Sequence, residues 1–106
     1  DIVQVTLFWR ATQAVDHRYK VFLHLLDGEG PPVAQRDAEP VGNLAPTTTW
    51  EVGETIVDNH GLLLPQGLAP GEYTLRVGLY ALEDAAARLP VSDGGDSTLL
   101  GVISVR

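Results

Sequence analysis

The stretch Pro70-Gly71-Glu72-Tyr73-Thr74-Leu75-Arg76-Val77-Gly78-Leu79-Tyr80 decides the fold. After its Pro-Gly turn signal, apolar and polar side chains alternate, which places Tyr73, Leu75, Val77 and Leu79 on one face. A helix could not place these residues on one side, because its side chains repeat every ~3.6 residues. The pattern therefore predicts a β-strand with one buried face, which we expect at the centre of an antiparallel β-sandwich.

Further extended segments follow along the chain, separated by turn signals at spacings of roughly 8 to 12 residues. They are residues Ile2–Arg10, Tyr19–Leu26, 33–38, 54–64, 89–91 and Thr98–Val105. Residues 82–88 are compatible with a helix but are short, so we expect a loop or a single turn there. About seven strands without parallel crossover helices predict an all-β, immunoglobulin-like antiparallel β-sandwich.

Two local features of this sandwich are also expected from the sequence. Residues 40–53 contain prolines, which cannot donate to a sheet ladder, so this stretch should cross between the two sheets. Trp50 lies in the crossing and is expected to plug one end of the core. Gly61 is a candidate β-bulge in the strand that follows.

The bulk properties indicate one domain, residues 1–106, taken from a longer protein. A chain of 106 residues with 44% hydrophobic content is long and apolar enough to bury a core. It contains no methionine and begins at Asp1 inside an expected strand, as a piece of a longer chain would. It also has no cysteine, which excludes disulfides, thiolate metal sites and cysteine nucleophiles.

The charge balance argues against two classes of partner, nucleic acids and anionic membrane surfaces. The net charge is −7, and the seven cationic side chains are scattered rather than clustered. Binding to a nucleic-acid backbone or to an anionic lipid surface requires a cluster of lysine and arginine. No run reaches the ~18 apolar residues of a membrane-spanning helix, so we expect that this piece does not itself cross a membrane.

A set of segments covering most of the chain resembles a known module. They are Val5-Thr6-Leu7-Phe8-Trp9-Arg10, Tyr19-Lys20-Val21-Phe22-Leu23-His24-Leu25-Leu26-Asp27, Ala34-Gln35-Arg36-Asp37, residues 46–50, Gly53-Glu54 and the 70–80 stretch quoted above. The combination resembles an uncharacterised C-terminal module of bacterial, Chloroflexi-like polytopic membrane proteins. Many of those proteins look like membrane glycosyltransferases of the dolichyl-phosphate-mannose mannosyltransferase type.

The resemblance implies a location and a partner but no chemistry. It implies a β-sandwich on the extracytoplasmic face of the cell membrane, carried by a membrane-embedded domain of the same parent chain. It brings no catalytic residue and no cofactor with it. If the resemblance holds, we expect the domain to present a surface to an envelope glycan or to the polyprenyl-linked substrate that its membrane partner handles.

Four side chains form the candidate ligand-binding site: Phe22, His24, Arg76 and Tyr80. If the second strand and the 70–80 strand share a sheet, all four lie on its outer face. Aromatic rings beside an arginine and a histidine could stack on sugar rings and bond their hydroxyl groups. The alternatives are that Phe22 and Tyr80 form a cross-strand aromatic pair or that a loop covers them.

Metal binding and catalysis find less support in the sequence. His24, Asp58 and His60 could in principle gather around a metal. Only Asp58 and His60 are placed on one strand face by their spacing, and no third ligand is marked in this way. An exposed polar strand face is therefore the favoured interpretation. The acidic turns at residues 27–30 and 93–97 lack the ligand series of a calcium loop. Known catalytic motifs are missing, so we expect neither catalytic nor metal-binding residues.

The sequence therefore predicts a non-catalytic accessory or interaction domain. A structural spacer and a fragment of a carbohydrate-active enzyme remain open. A spacer should have uniformly polar outer faces, whereas an enzyme should have a cleft holding a carboxylate or histidine with a shifted pKa.

Overall fold

The computed structural model describes residues 1–92 and 94–106, which form strands, loops and one short 3₁₀ helix at Thr47–Thr49. The strands are β1 (Ile2–Arg10), β2 (Tyr19–Leu26), β3 (Ala34–Ala38), β4 (Thr55–Leu63), β5 (Gly71–Ala81), β6 (Asp84–Arg88) and β7 (Thr98–Val105). All pairs between these strands are antiparallel, so the predicted all-β fold is confirmed. The described residues include no helix with the length and apolarity of a membrane span.

The larger sheet is built around β5, as the alternation of the 70–80 stretch predicts. Its strand order is β3-β2-β5-β6, and β7 also pairs with β5. One edge of β5 pairs with β2 along the whole of β2. The other edge is shared, because β7 pairs with residues 71–77 and β6 with Tyr80 and Ala81.

The smaller sheet consists of β1 and β4, paired without interruption over nine residues each. Gly61 lies opposite Gln4 in this regular ladder, so the predicted bulge at Gly61 is wrong. The glycine instead permits close packing, because a Cβ there would lie 3.3 Å from Ile2 Cγ2.

The connections match those of an immunoglobulin sandwich. In that fold strands A, B, E and D form one sheet and strands C, F and G the other. Here β1 and β4 take the places of B and E, while β2, β5 and β7 take those of C, F and G. Among the described residues, no strand takes the place of A, which would lie beside β1.

The core lies between the two sheets and follows the predicted alternation. Val21, Leu23 and Leu25 of β2 are buried against one another and against apolar side chains from β4 and β5. The remaining buried members of this cluster are Leu62, Tyr73, Leu75 and Val77. Alternate residues of β2 and β5 thus turn inward together, which removes their apolar surface from water.

The prediction for residues 82–91 is wrong in two respects. Asp84–Arg88 forms the edge strand β6 rather than a loop or helical turn, and residues 89–91 form no strand. A tight turn after Ala81 brings β6 back onto β5. Such a short closure costs little entropy, so the local hairpin forms in spite of an alanine-rich sequence with low strand propensity.

The crossing between β3 and β4 passes from the larger sheet to the smaller one, as predicted. Hydrogen bonds from Asn43 N to Glu39 O (3.1 Å) and from Ala45 N to Pro40 O (3.1 Å) fold it into a compact loop. Trp50 is half-buried, and its indole N–H donates to Ala45 O at 3.0 Å. Its ring centroid lies 6.2 Å from that of Trp9 near the end of β1.

Replacement of Leu23 by alanine tests the position of the core. Leu23 is fully buried, so Leu23→Ala should lower the free energy of unfolding by about 2–5 kcal/mol through lost burial and a residual cavity. Leu99→Ala is the matched control, because Leu99 is exposed on β7 and should change stability by less than about 0.5 kcal/mol. Urea denaturation measures both, and equal effects would contradict this placement of the core.

Candidate functional site

The pairing of β2 with β5 brings the four predicted site residues onto one face. His24 lies directly opposite Arg76, and Phe22 lies opposite Gly78. The Phe22 ring centroid is 4.7 Å from that of His24 and 6.2 Å from that of Tyr80. The condition on which the candidate site depends, a sheet shared by these two strands, is therefore met.

The Phe22 ring is nevertheless packed away from solvent. Only 1% of its surface is exposed. The ring lies over Gly78, since a Cβ at that glycine would come well under 3.0 Å from ring atoms Cζ and Cε2. On the ring face, the Arg88 guanidinium carbon lies 4.4 Å from the centroid, a cation–π distance. In this arrangement Phe22 offers no ring face on which a sugar could stack.

The polar members of this cluster are engaged with neighbouring residues. Arg76 donates from Nε to Ser97 Oγ (2.8 Å) and from Nη2 to Ser97 O (2.7 Å), which ties the loop before β7 to the sheet. The Tyr80 hydroxyl donates to Asp37 Oδ2 at 2.7 Å. Burial, that hydrogen bond and the Asp37 charge together raise the pKa of Tyr80 to about 12.

His24, like Arg76 and Tyr80, is half-buried. Its burial, followed by the nearby positive charge of Arg88, lowers the pKa of the imidazole, while the charge of Asp37 opposes this shift. A neutral imidazole packed against the Phe22 ring is consistent with a side chain that covers the outer face of the sheet. The cluster as a whole has the geometry of aromatic packing over a glycine, and glycan binding by these residues stays a prediction.

Asp58 and His60 do not lie on an exposed polar face, so that prediction is wrong. Both side chains are fully buried and point between the sheets. Asp58 Oδ2 accepts from Trp9 Nε1 (3.0 Å) and lies 2.7 Å from His60 Nε2, while Asp58 Oδ1 accepts from Val41 N (2.7 Å). The inward side of β4 accepts these polar groups because hydrogen-bonding partners are available for them.

The network continues to the larger sheet through Arg36, whose Nε donates to His60 Nδ1 at 3.1 Å. Burial alone would raise the pKa of Asp58, but its hydrogen bonds to His60, Val41 and Trp9 outweigh burial and lower it. His24 remains on the opposite face of the larger sheet. The described residues contain no group of three or more potential ligands that could hold a metal ion.

The two acidic turns do not change this result. Asp27 and Glu29 are exposed in a turn between β2 and β3. In the second turn Asp96 pairs with Arg88 at 3.4 Å, and Asp93 lies outside the described residues.

The outer face of the β1–β4 sheet carries apolar side chains that the sequence analysis did not select. Phe8 is 70% exposed and lies opposite Val57, which is 48% exposed. Ile2 and Leu63 form a second opposite pair, exposed by 57% and 69%. We call these four residues the apolar outer face. Its signal was present in the sequence, because β1 and β4 place large apolar residues at outward positions where a solvated sheet would carry polar ones.

Shallow apolar grooves run along the open side of the sandwich between β1 and β7. One of about 340 Å³ is lined by residues 3–7, Leu75 and residues 100–103. A second, of about 250 Å³, continues past Trp9 and Thr98, and a third, of about 170 Å³, reaches residues 89–91. The residues described as lining these three grooves include no charged side chain, and none belongs to the predicted site.

Comparisons of the chain with protein-family models, curated proteins and solved structures found no match.

Replacement of Gly78 tests whether Phe22 covers the sheet. Gly78→Ala should lower the free energy of unfolding by about 1–3 kcal/mol, because the new methyl group collides mainly with the Phe22 ring and, at 2.8 Å, with the Asp96 backbone oxygen. Gly101→Ala is the matched control, since a Cβ there meets nothing within 4 Å. In a Phe22→Leu background the cost of Gly78→Ala should shrink, because the ring is gone. An equal cost in both backgrounds, measured by urea denaturation, would contradict the packing.

Proposed function

We propose that this chain is a non-catalytic interaction domain on the extracytoplasmic face of a bacterial membrane protein. Its apolar outer face docks on the membrane-embedded domain of the same parent chain. The resemblance described above supplies the context of this proposal, and the exposed pairs Phe8–Val57 and Ile2–Leu63 supply the surface.

The exposure of these two pairs is the observation that carries the proposal. Between them lie polar residues, among which the Thr6 hydroxyl donates to Asn59 Oδ1 at 2.7 Å. The face is therefore ordered and mixed, with large apolar groups at both ends. Single exposed apolar residues are ordinary on a protein surface, whereas each of these pairs is a small apolar patch formed by two directly opposed side chains and bordered by polar residues, as at interaction sites.

The two alternative functions have less support. A spacer should have uniformly polar outer faces, whereas the outer face of β1 and β4 also exposes large apolar side chains. An enzyme should place a titratable group in a cleft, but Asp58 and His60 are sealed inside, where they bond each other, Trp9, Val41 and Arg36. Their geometry supports a structural role. Glycan binding would use the Phe22 ring as the surface on which a sugar stacks, but that ring is packed beneath Arg88.

Photo-crosslinking in the full parent protein tests the docking surface. A benzoylphenylalanine replaces Phe8 in the native membrane, and crosslinked peptides are identified by mass spectrometry. We expect crosslinks to the membrane-embedded part of the same parent chain. Proteolysis of intact spheroplasts, which should cleave this domain from outside, tests the extracytoplasmic location.

The matched control carries the same crosslinker at Gln35, an exposed residue on β3 of the other sheet. Crosslinks at position 8 that do not exceed those at position 35, or that reach only separate proteins, would refute docking through this face. Protection from protease in spheroplasts would refute the location.

A further inference from the structure

One edge of β1 has no strand partner in the described part of the chain, where β1 pairs with β4 alone. The bond from Leu64 N to Asp1 O (2.9 Å) fixes which backbone groups face β4. Antiparallel ladders alternate in their bonding, so the odd-numbered residues of β1 bond to β4. The backbone N–H and C=O groups of Gln4, Thr6 and Phe8 therefore point towards the open side.

The two strands that border the open side, β1 and β7, lack the protection that the edge strands β3 and β6 carry. β1 is nine residues long and has neither proline nor a charged residue before Arg10. By contrast, β3 and β6 are five residues long and carry charges, Arg36 and Asp37 in one and Asp84 and Arg88 in the other. Natural sheets shorten or charge edges that face water, because a long apolar edge pairs with other chains.

The groove of about 340 Å³ lies between this edge and β7. β1 and β7 belong to different sheets and are not paired with each other. The open side thus lies where strand A of an immunoglobulin sandwich would pair with β1.

The core is unfilled at the same place. Gly101 of β7 lies opposite the buried Leu75, at a position whose side chain would point inward, and a Cβ there meets nothing within 4 Å. The inward residues of β1 are only half-buried, whereas Asp58, His60 and Leu62 of β4 are fully buried. An apolar side chain from a strand beside β1 would cover these residues and occupy the space over Gly101.

We propose that this groove binds an extended segment of a second protein, which pairs with β1 as an added strand and inserts an apolar side chain over Gly101. A peptide fits better than a lipid or sugar, because the edge offers alternating backbone donors and acceptors. The segment is uncharged within the groove, whose described lining has no charge, and is flanked by lysine or arginine. Such flanks are attracted by the net charge of −7, which opposes a second copy of this chain.

This site uses the edge of β1, whereas the proposed docking surface uses its outer face, so the two proposals can fail separately.

A synthetic peptide tests the groove directly. It carries alternating valine and threonine over about seven residues, matched to the strand rise of ~3.4 Å, between lysine pairs. We expect fluorescence anisotropy to show saturable binding to the chain, and NMR hydrogen exchange to slow at the amides of Gln4, Thr6 and Phe8. A peptide methylated on alternate backbone nitrogens should not bind.

Two variants locate the binding. Gly101→Val fills the space over the core, and Thr6→Pro removes an outward N–H at an edge position that tolerates proline. Each should weaken binding at least about tenfold, a change of ~1.4 kcal/mol. Ser104→Val, an outward substitution on the same β7 strand, should leave binding unchanged. Thermal unfolding checks that each variant folds, and either groove variant suffices for the test.

Several results would overturn the proposal. They are absence of binding, equal binding by a block-ordered peptide of the same composition, and binding unchanged by a folded groove variant. A stable dimer of the chain that Gly101→Val dissolves would assign the groove to a second copy. Slow exchange at Gln4, Thr6 and Phe8 in the parent protein without peptide would assign it to the parent's own chain.

Discussion

The buried carboxylate of Asp58 is the interaction on which the arrangement of the two sheets depends. It accepts hydrogen bonds from Trp9 on β1 and from the backbone of Val41 in the crossing loop, and it contacts His60 on its own strand. Through His60 the network reaches Arg36 on β3. One charged group therefore joins the smaller sheet, the crossing loop and the larger sheet. Removal of a single partner from such a network leaves a buried polar group unpaired, which is strongly destabilising.

This joint closes one side of the sandwich and leaves the other side open. Near β3 and β4, polar bonds and the buried Leu62 seal the space between the sheets. At β1 and β7 the described contacts between the sheets are apolar, and the inward side chains of β1 remain half-exposed. The same strand also presents Phe8 and Ile2 outward. Both proposed interaction surfaces thus meet at β1, which pairs with a single strand in the described fold.

The sequence was sufficient for the features that depend on local periodicity. Alternation in the 70–80 stretch and in Tyr19–Leu26 identifies the inward residues, because side chains on the buried face of a strand recur at every second position. Asp84–Arg88 was missed because its alanines carry no strand signal, and pairing with β5 decides its structure. Asp58 and His60 were misplaced because a polar residue at an inward position is identical in sequence to one on a solvated face.

The candidate site shows the same limit. Phe22 and Tyr80 share a face, as register predicts, but the burial of Phe22 depends on Gly78 beneath it and Arg88 above it. Those contacts come from β5 and β6, which are distant from β2 in the sequence, and no periodic pattern reports them. The open edge of β1 is likewise a property of topology. It becomes visible only when the pairing of every described strand is known.

The pKa of Asp58 tests the central role of its carboxylate most directly, and carbon-13 NMR titration of the folded chain measures it. Its hydrogen bonds should hold the pKa below the ordinary value of 3.8, so the carboxylate stabilises the fold at neutral pH. That stabilisation should be lost as the pH falls from about 3.8 through the lowered pKa. A pKa at or above 3.8 would show that burial outweighs the hydrogen bonds, and it would contradict the account of Asp58 as the joint between the sheets.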